Sequence, residues 1–594
     1  MSGQAESSVQ FQFISGNSRV HNGHTFSQPT DEQNSARLNQ PVGKLPDLLY
    51  KSLRFDQIHA RRQTLRSPSP DTCSWILDTH EFKAWVNPDE ISYHHGLLWI
   101  KGKPGAGKSI LMNYLLGESK TQMPDFNVIS FFFNARGHEL ERTAKGLYQS
   151  LLWQIMETFP DTKRVFVELG FTNPDLIEQN GWQEESLKNL ISYAIRKLDS
   201  RKLVCYIDAL DECLEEQARS MVTFFQEISW QAMKQGDRLN VCFSSRHYPN
   251  MSIIKGLTLL IDGQDGHMID IQRYIDSTLV IDSSQSGEDI KSRILKKASG
   301  VFLWVALVIP MLNKAFDSGK TAAVNKLLDE LPTELSLLFH DMLMRDSEVR
   351  DSEACDSMLL CIQLVLLAKR PLSLEELYCG IKAGLNDPIP HGSLLEDYTM
   401  RRYILSSSKG LVEEVCAIFS SSMQFIHESV REFFILDGYE LRGIVRQYWP
   451  HLSSNFIGKS QDAIKEACFS GMMIRMPDVD VGLMDYDDWL ELVSETTEAY
   501  PFLEYAVSNV LFHSNEAQLY EVQQSDWIKQ FPLHTWIGLR DICRLDINIY
   551  TPDVNILYVP ACEDLIHLVK QSPDRLRYIN IRGYYGTHLL AALS

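Results

Sequence analysis

The chain has 594 residues, is 44% hydrophobic, and carries a formal charge of −20 from 57 basic and 77 acidic side chains. It is too long for one core and predicts three to five domains. The acidic excess argues against nonspecific binding to nucleic acid or to an anionic membrane surface. Eleven cysteines are scattered without a C-x-x-C pair, which excludes a zinc-ribbon or disulfide scaffold and points to a reducing, cytoplasmic setting. The longest apolar run, Val301 to Leu312, is interrupted by Pro310 and is too short to span a bilayer.

Residues 1–45 are rich in Ser, Gln, Asn, Gly and His without apolar periodicity, so a disordered N-terminal tail is expected. The first residues lack the apolar core of a signal peptide. Residues 46–90 read as a helical lead-in: Leu48, Leu49, Leu53, Phe55 and Ile58 form an apolar set, Ser67 to Pro70 makes a turn, and 72–77 and 82–85 suggest a helix pair.

Residues 91–250 carry the strongest signal. Gly96 to Ile100 is a short apolar strand, followed by Gly102, Lys103, Pro104, Gly105, Ala106, Gly107, Lys108 and Ser109, then by a helix opening at Ile110. This fits G-x-x-x-x-G-K-[ST] in its strand–loop–helix setting. Glycines let successive backbone N–H groups turn inward, and with the helix N-terminus they form a cradle for phosphate. The candidate nucleotide-binding residues are therefore Gly102 to Ile110. Lys108 is assigned to the β- and γ-phosphates, and the Ser109 hydroxyl to Mg²⁺.

Such a loop needs a carboxylate at the end of a neighbouring buried strand. Leu203 to Ile207 is continuously apolar and ends in Asp208, with Asp211 and Glu212 just beyond. Asp208 is the candidate second metal ligand. Asp211 and Glu212 are candidate catalytic acids that orient or deprotonate water; the competing reading is that they cap the next helix. A third strand, Asn240 to Ser245, ends in Arg246, a candidate for stabilising γ-phosphate charge. Phe126 to Asn134 supplies a fourth. Strands alternating with helices predict an α/β fold with a parallel sheet.

Residues 251–330 read as a helical domain. Residues 331–440 begin with Leu331-Pro332, contain a capping box at Ser373 and Glu376, and continue into three short strand signals at 410–412, 415–419 and 423–426. Helices followed by a small hairpin predict a winged-helix domain, here not notably basic. Residues 441–570 read as a helical connector. Residues 571–594 contain Gly586, Thr587, Leu589, Ala591 and Ala592, which look like the start of an incomplete ankyrin repeat. One repeat cannot bury its own faces.

As a set, 98–109, 131–137, 206–212, 243–246, 300–306 and 425–431 resemble the fungal NACHT-type signal-transduction ATPases, close to the nephrocystin N-terminal-like group. The resemblance covers roughly residues 50–440. It implies a nucleotide-operated switch of the NLR-like kind, binding ATP or ADP with Mg²⁺, closed with ADP and self-assembling into a homo-oligomer with ATP. It also implies that the winged helix folds back on the nucleotide, with His427 as a candidate contact to the β-phosphate. Phe302 stands where related chains carry an adenine-packing proline; an aromatic in an apolar helix also suits the core. Two other readings remain: a non-enzymatic scaffold with ADP as a structural ligand, and a GTPase. The second lacks its guanine motif, since Asn313 to Asp317 and Asn325 to Asp329 both miss the N-K-x-D spacing.

Overall fold

Five strands pair side by side, every one parallel to its neighbours, in the order β2-β3-β4-β1-β5. They are β1 (Leu97–Lys101), β2 (Phe126–Phe132), β3 (Lys202–Asp208), β4 (Arg238–Ser245) and β5 (Leu257–Leu260). The computed structural model describes residues 45–571, apart from position 56, parts of 172–180, 200, most of 248–254, 282–284, 318–320, 345–351, 389–395, 417–420, 436–448, 474–485, 544–555 and 557. The expected N-terminal tail and the expected repeat start lie, but for Leu45 and Gln571, outside the described residues.

Parallel strands must be covered on both faces, because their crossovers are helices. Alternate side chains sort accordingly. Leu97, Trp99, Cys205, Ile207, Val241 and Phe243 face a core closed by α2 (Ala144–Thr158), α3 (Glu184–Arg196) and α4 (Glu215–Gln235). Leu98, Ile100, Val204, Tyr206 and Cys242 face the other, closed by α1 (Lys108–Gln122) and by Ile76, Phe82 and Trp85 of the lead-in. Trp85 is fully buried and donates from its indole to the Gly96 carbonyl at 2.7 Å. Gly96 must be glycine: its φ is +79°, and a Cβ there would lie 2.2 Å from the Leu239 carbonyl oxygen.

Residues 251–330 are not wholly helical. Leu257–Leu260 adds the edge strand β5, in register from Leu98 opposite Leu257 to Lys101 opposite Leu260. Four residues carry too little periodicity to announce a strand. It exists because β1 offers a free edge, which is a tertiary fact. Helices follow, including α5 (Phe302–Asp317), around a separate core of Ile271, Ile290, Trp304 and Val308.

Beyond residue 330, α6 (Ser352–Leu367), α7 (Leu374–Gly384) and α8 (Asp397–Ser407) precede one antiparallel hairpin, β6 (Val412–Cys416) and β7 (Ser421–Phe425), and then α9 (Glu428–Ile435). Three strand signals thus become two strands, with Leu372 bridging to Met423. The α7 capping box forms as expected: Ser373 Oγ accepts from the Glu376 N–H at 3.2 Å, and the Glu376 carboxylate accepts from the Ser373 N–H at 2.8 Å. This module shares a large core with α10 (Phe456–Met472) and α11 (Leu503–Leu519). No His/Cys/Asp/Glu group that could by itself hold a metal occurs among the described residues. No described helix is long and apolar enough to cross a membrane.

Candidate nucleotide-binding site

The strand order places β4 between β1 and β3, so three chain segments meet at the carboxyl edge of the sheet. These are the loop after β1, Asp208 at the end of β3, and Ser245-Arg246 at the end of β4. Ligands of parallel α/β sheets bind at that edge.

The loop from Gly102 to Gly107 turns on two left-handed glycines, Gly105 (φ +72°) and Gly107 (φ +94°). Nothing lies within 4 Å of where a Gly107 Cβ would stand. The back of the loop rests on the N-terminus of α5: the Gly105 carbonyl accepts from the Leu303 N–H at 2.9 Å, and a Cβ on Gly105 would come 2.8 Å from the Leu303 Cβ. Lys103 anchors the front, donating its N–H to Asp262 at 3.1 Å and its ammonium to the Ser299 carbonyl at 3.0 Å. Pro104 and Ala106 complete the turn, and Ile110 packs in the first turn of α1 against the sheet core. Phe302 meets Tyr274, ring centres 4.9 Å apart, at the edge of the helical core.

Lys108 folds back and donates to the carbonyls of Gly102 and Lys103, both at 2.9 Å. Burial lowers its pKa, against the pull of Asp211 and Asp208. Asp208 is wholly buried, and burial raises its pKa; hydroxyls of Ser109 and Ser244 act the other way. Ser244 donates to one carboxylate oxygen, and Oδ2 has no protein partner. An acidic oxygen buried beside a serine at a helix N-terminus suits a divalent cation, and a buried lysine resting on loop carbonyls suits a phosphate that would draw it away. The donor set therefore fits a nucleotide phosphate with Mg²⁺.

Ala209 is left-handed (φ +56°), its N–H bound to the Ser244 hydroxyl at 2.9 Å, and this kink turns the next residues across the sheet edge. Neither Asp211 nor Glu212 caps a helix: α4 begins after Leu214 with no side-chain cap. Asp211 accepts from the Arg246 N–H at 3.0 Å and from its Nε at 2.9 Å. Burial raises its pKa to about 6, Arg246 opposing. Glu212 accepts from the Ala135 N–H at 2.8 Å. Arg246 also reaches Glu432 on α9 at 2.6 Å. His427, just before α9, accepts from the Ser429 N–H through Nδ1 at 3.1 Å. Burial holds its pKa well below the usual range, and Arg136, Arg246 and Lys108 add to that depression. The candidate residues from Gly102 to Arg246 are thus gathered at one edge, with His427 within electrostatic reach of Lys108.

Four participants escape a reading of the sequence. Arg136, in the loop after β2, donates to the Phe425 carbonyl and lies 4.0 Å from Glu428. Glu428 and Glu432 receive the two core arginines. Arg61 acts on the charges of Asp208, Arg136 and His427. The blocks 131–137 and 425–431 contain Arg136 and Glu428 without showing that they meet; Arg61 and Glu432 lie outside every motif, and all four act only because α9 and the lead-in fold onto the core.

Comparison with known proteins agrees with this geometry. Residues 71–246 match the family described as "Nephrocystin 3, N-terminal". The chain is 25% identical over 424 residues to "Vegetative incompatibility protein HET-E-1" of Podospora anserina, an alignment covering 67% of this chain and 29% of that one. Among solved structures it overlaps loosely with Cdc6p from Pyrobaculum aerophilum (TM-score 0.30, 13% identity, 61% of this chain and 95% of that one). A second loose overlap is with Drosophila ORC bound to DNA (TM-score 0.30, 11% identity, 70% and 96%). The match over residues 71–246 and the likeness to HET-E-1, with the phosphate loop and the buried Asp208 at the same sheet edge, make this segment a NACHT-like P-loop NTPase core, similar to the family described as "Nephrocystin 3, N-terminal".

Proposed function

We propose that the chain is a signal-transduction switch operated by ATP and ADP. Residues 102–110 bind the phosphates, Ser109 and Asp208 hold Mg²⁺, and His427 approaches the β-phosphate from a winged-helix domain that includes β6, β7 and α9. Mg²⁺ supplies charge neutralisation between the phosphates when bound. Lys108 neutralises phosphate charge, Arg246 stabilises charge that develops on the γ-phosphate, and Asp211 or Glu212 orients water. The observation that carries the reading is that Arg246 touches Asp211 in the core and Glu432 on α9 at once. A residue shared between the phosphate site and a movable module can convert nucleotide state into module position. The role extends to homo-oligomer formation with ATP, in the cytoplasm and without nucleic acid, in signalling of the vegetative-incompatibility type.

A second reading is supported by the engagement of both acids: Asp211 is held by Arg246 and Glu212 by the Ala135 N–H. With neither free to activate water, ADP would serve as a structural ligand of a scaffold, stabilising it by linkage. Mass analysis of the copurifying nucleotide, with particle size measured in ADP and in ATP, separates the two. Exchange of ADP for ATP with growth in size supports the switch. Permanent ADP without exchange supports the scaffold. No nucleotide binding, with Lys108→Ala indistinguishable from the parent, refutes both.

A further inference from the structure

The loop after β2 and the module carrying the hairpin enclose a cavity of about 60 Å³. A water needs roughly 10–15 Å³ of such space, so about four waters or one tetrahedral oxyanion would fit. Five cationic side chains line it: Arg136 and Arg142 from the core, Lys369, Arg370 and Arg431 from the module. None of its lining residues is acidic. Two carboxylates stand behind it. Glu376 takes both arms of Arg370 at 2.6 and 2.8 Å, and Glu428 takes Arg431 at 3.0 Å and lies 4.0 Å from Arg136.

The lining holds five cationic side chains and no acid, in a chain whose overall charge is −20. Chance placement on an acidic protein does not favour that concentration, and a concave basic site focuses potential on an anion. The charge is also poorly compensated. Arg136 is almost fully buried and its Nε has no hydrogen-bond partner. Burial depresses its pKa to about 10 and Arg61 adds repulsion, while Glu212, Glu428 and Glu413 offset only part. A buried guanidinium with an unpaired N–H is costly unless that donor finds an acceptor.

We propose that this cavity is a second anion site, apart from the phosphate loop, that takes one tetrahedral phosphate and fastens the hairpin-bearing module to the NTPase core. Cationic side chains from both sides converge on the cavity, and charge-assisted bonds to phosphate oxygens are the strong ones. The residue before Arg136 ties the site to the edge that carries Asp208, since the Ala135 N–H holds Glu212. The phosphate is either free or carried as a monoester; the chemistry recognised is the same.

The test uses the full chain carrying Lys108→Ala, which weakens the phosphate loop, and measures binding and thermal stability with inorganic phosphate and with phenyl phosphate. Arg142→Glu with Lys369→Glu reverses the two exposed cations, so folding is not at stake; unchanged ADP binding by that pair in a Lys108 background confirms it. Phosphate or its ester is expected to raise the unfolding temperature, with affinity falling at least about tenfold in the reversed pair. The tighter probe names the source. Binding unaltered by the reversal would place the anion on the phosphate loop and overturn the proposal, as would no binding of either probe. The outcome is independent of whether the chain acts as a switch.

Discussion

Arg246 spans two parts of the molecule, its Nε 2.9 Å from Asp211 and its Nη1 2.6 Å from Glu432. The contact is sheltered, with the side chains of Arg246 and Glu432 only 19% and 29% exposed. A charge-assisted bond of this kind contributes about 1–2 kcal/mol. Glu432→Gln is therefore expected to lower the unfolding temperature by a few degrees and to speed nucleotide release several-fold. Glu413→Gln is the comparison, because its partner Arg66 is 85% exposed; that change is expected to alter stability by less than about 0.5 kcal/mol. Equal effects of the two would remove Arg246–Glu432 as a special link.

Lys108→Ala is expected to weaken ATP and ADP binding by about a hundredfold or more, since it would remove the cation proposed to face the phosphates. Without nucleotide its stability should barely change. Two carbonyl bonds are lost, but so is a buried charge whose desolvation already lowers its pKa. Calorimetric titration and a thermal scan without ligand check both halves.

Asp208→Asn separates metal binding from folding. The buried carboxyl is disfavoured as an anion, and Ser244 can still donate to the amide oxygen. The protein without ligand is expected to be as stable as the parent or slightly more so. The extra stabilisation that Mg²⁺ gives over nucleotide alone should vanish. Thermal shift with ADP, in Mg²⁺ and in chelator, measures it.

His427 gives stability a pH dependence of known sign. Its folded pKa lies well below its ordinary 6.5, so below that pH the unfolded chain takes up a proton that the folded chain resists. Its stability contribution is complete above pH 6.5 and is lost as pH falls, at up to about 1.4 kcal/mol per pH unit. His427→Asn keeps an acceptor for the Ser429 N–H and should flatten that part of the curve. Identical slopes from pH 7 to 5 would show that His427 does not titrate in this way.

Two glycines should respond in opposite directions. Gly96→Ala forces a Cβ to within 2.2 Å of backbone at positive φ and is expected to cost about 3 kcal/mol or more. Gly117→Ala, on the exposed face of α1 with nothing near its Cβ, should stabilise by up to about 1 kcal/mol. Urea midpoints read both.

Much of the NTPase core was legible because its signals are local. A glycine pattern between an apolar strand and a helix dictates a phosphate loop wherever the chain folds, and an apolar run ending in Asp208 dictates a buried strand with an acid at its edge. The sequence by itself therefore determined the parallel sheet, the loop at 102–109 and the acids at 208–212. Tertiary structure decided what those acids touch. Asp211 and Glu212 could have capped α4, yet they turn to Arg246 and the Ala135 N–H because β4 lies between β1 and β3 and the Ala209 kink points them there. The same holds for β5, a strand only because β1 has an open edge, and for Arg136, Glu428 and Glu432. Their partners lie 186 to 292 positions away in sequence for Arg246–Glu432 and Arg136–Glu428. Charge pairing over such separations has no period or spacing to read, since it is set by which surfaces the burial of apolar faces brings together.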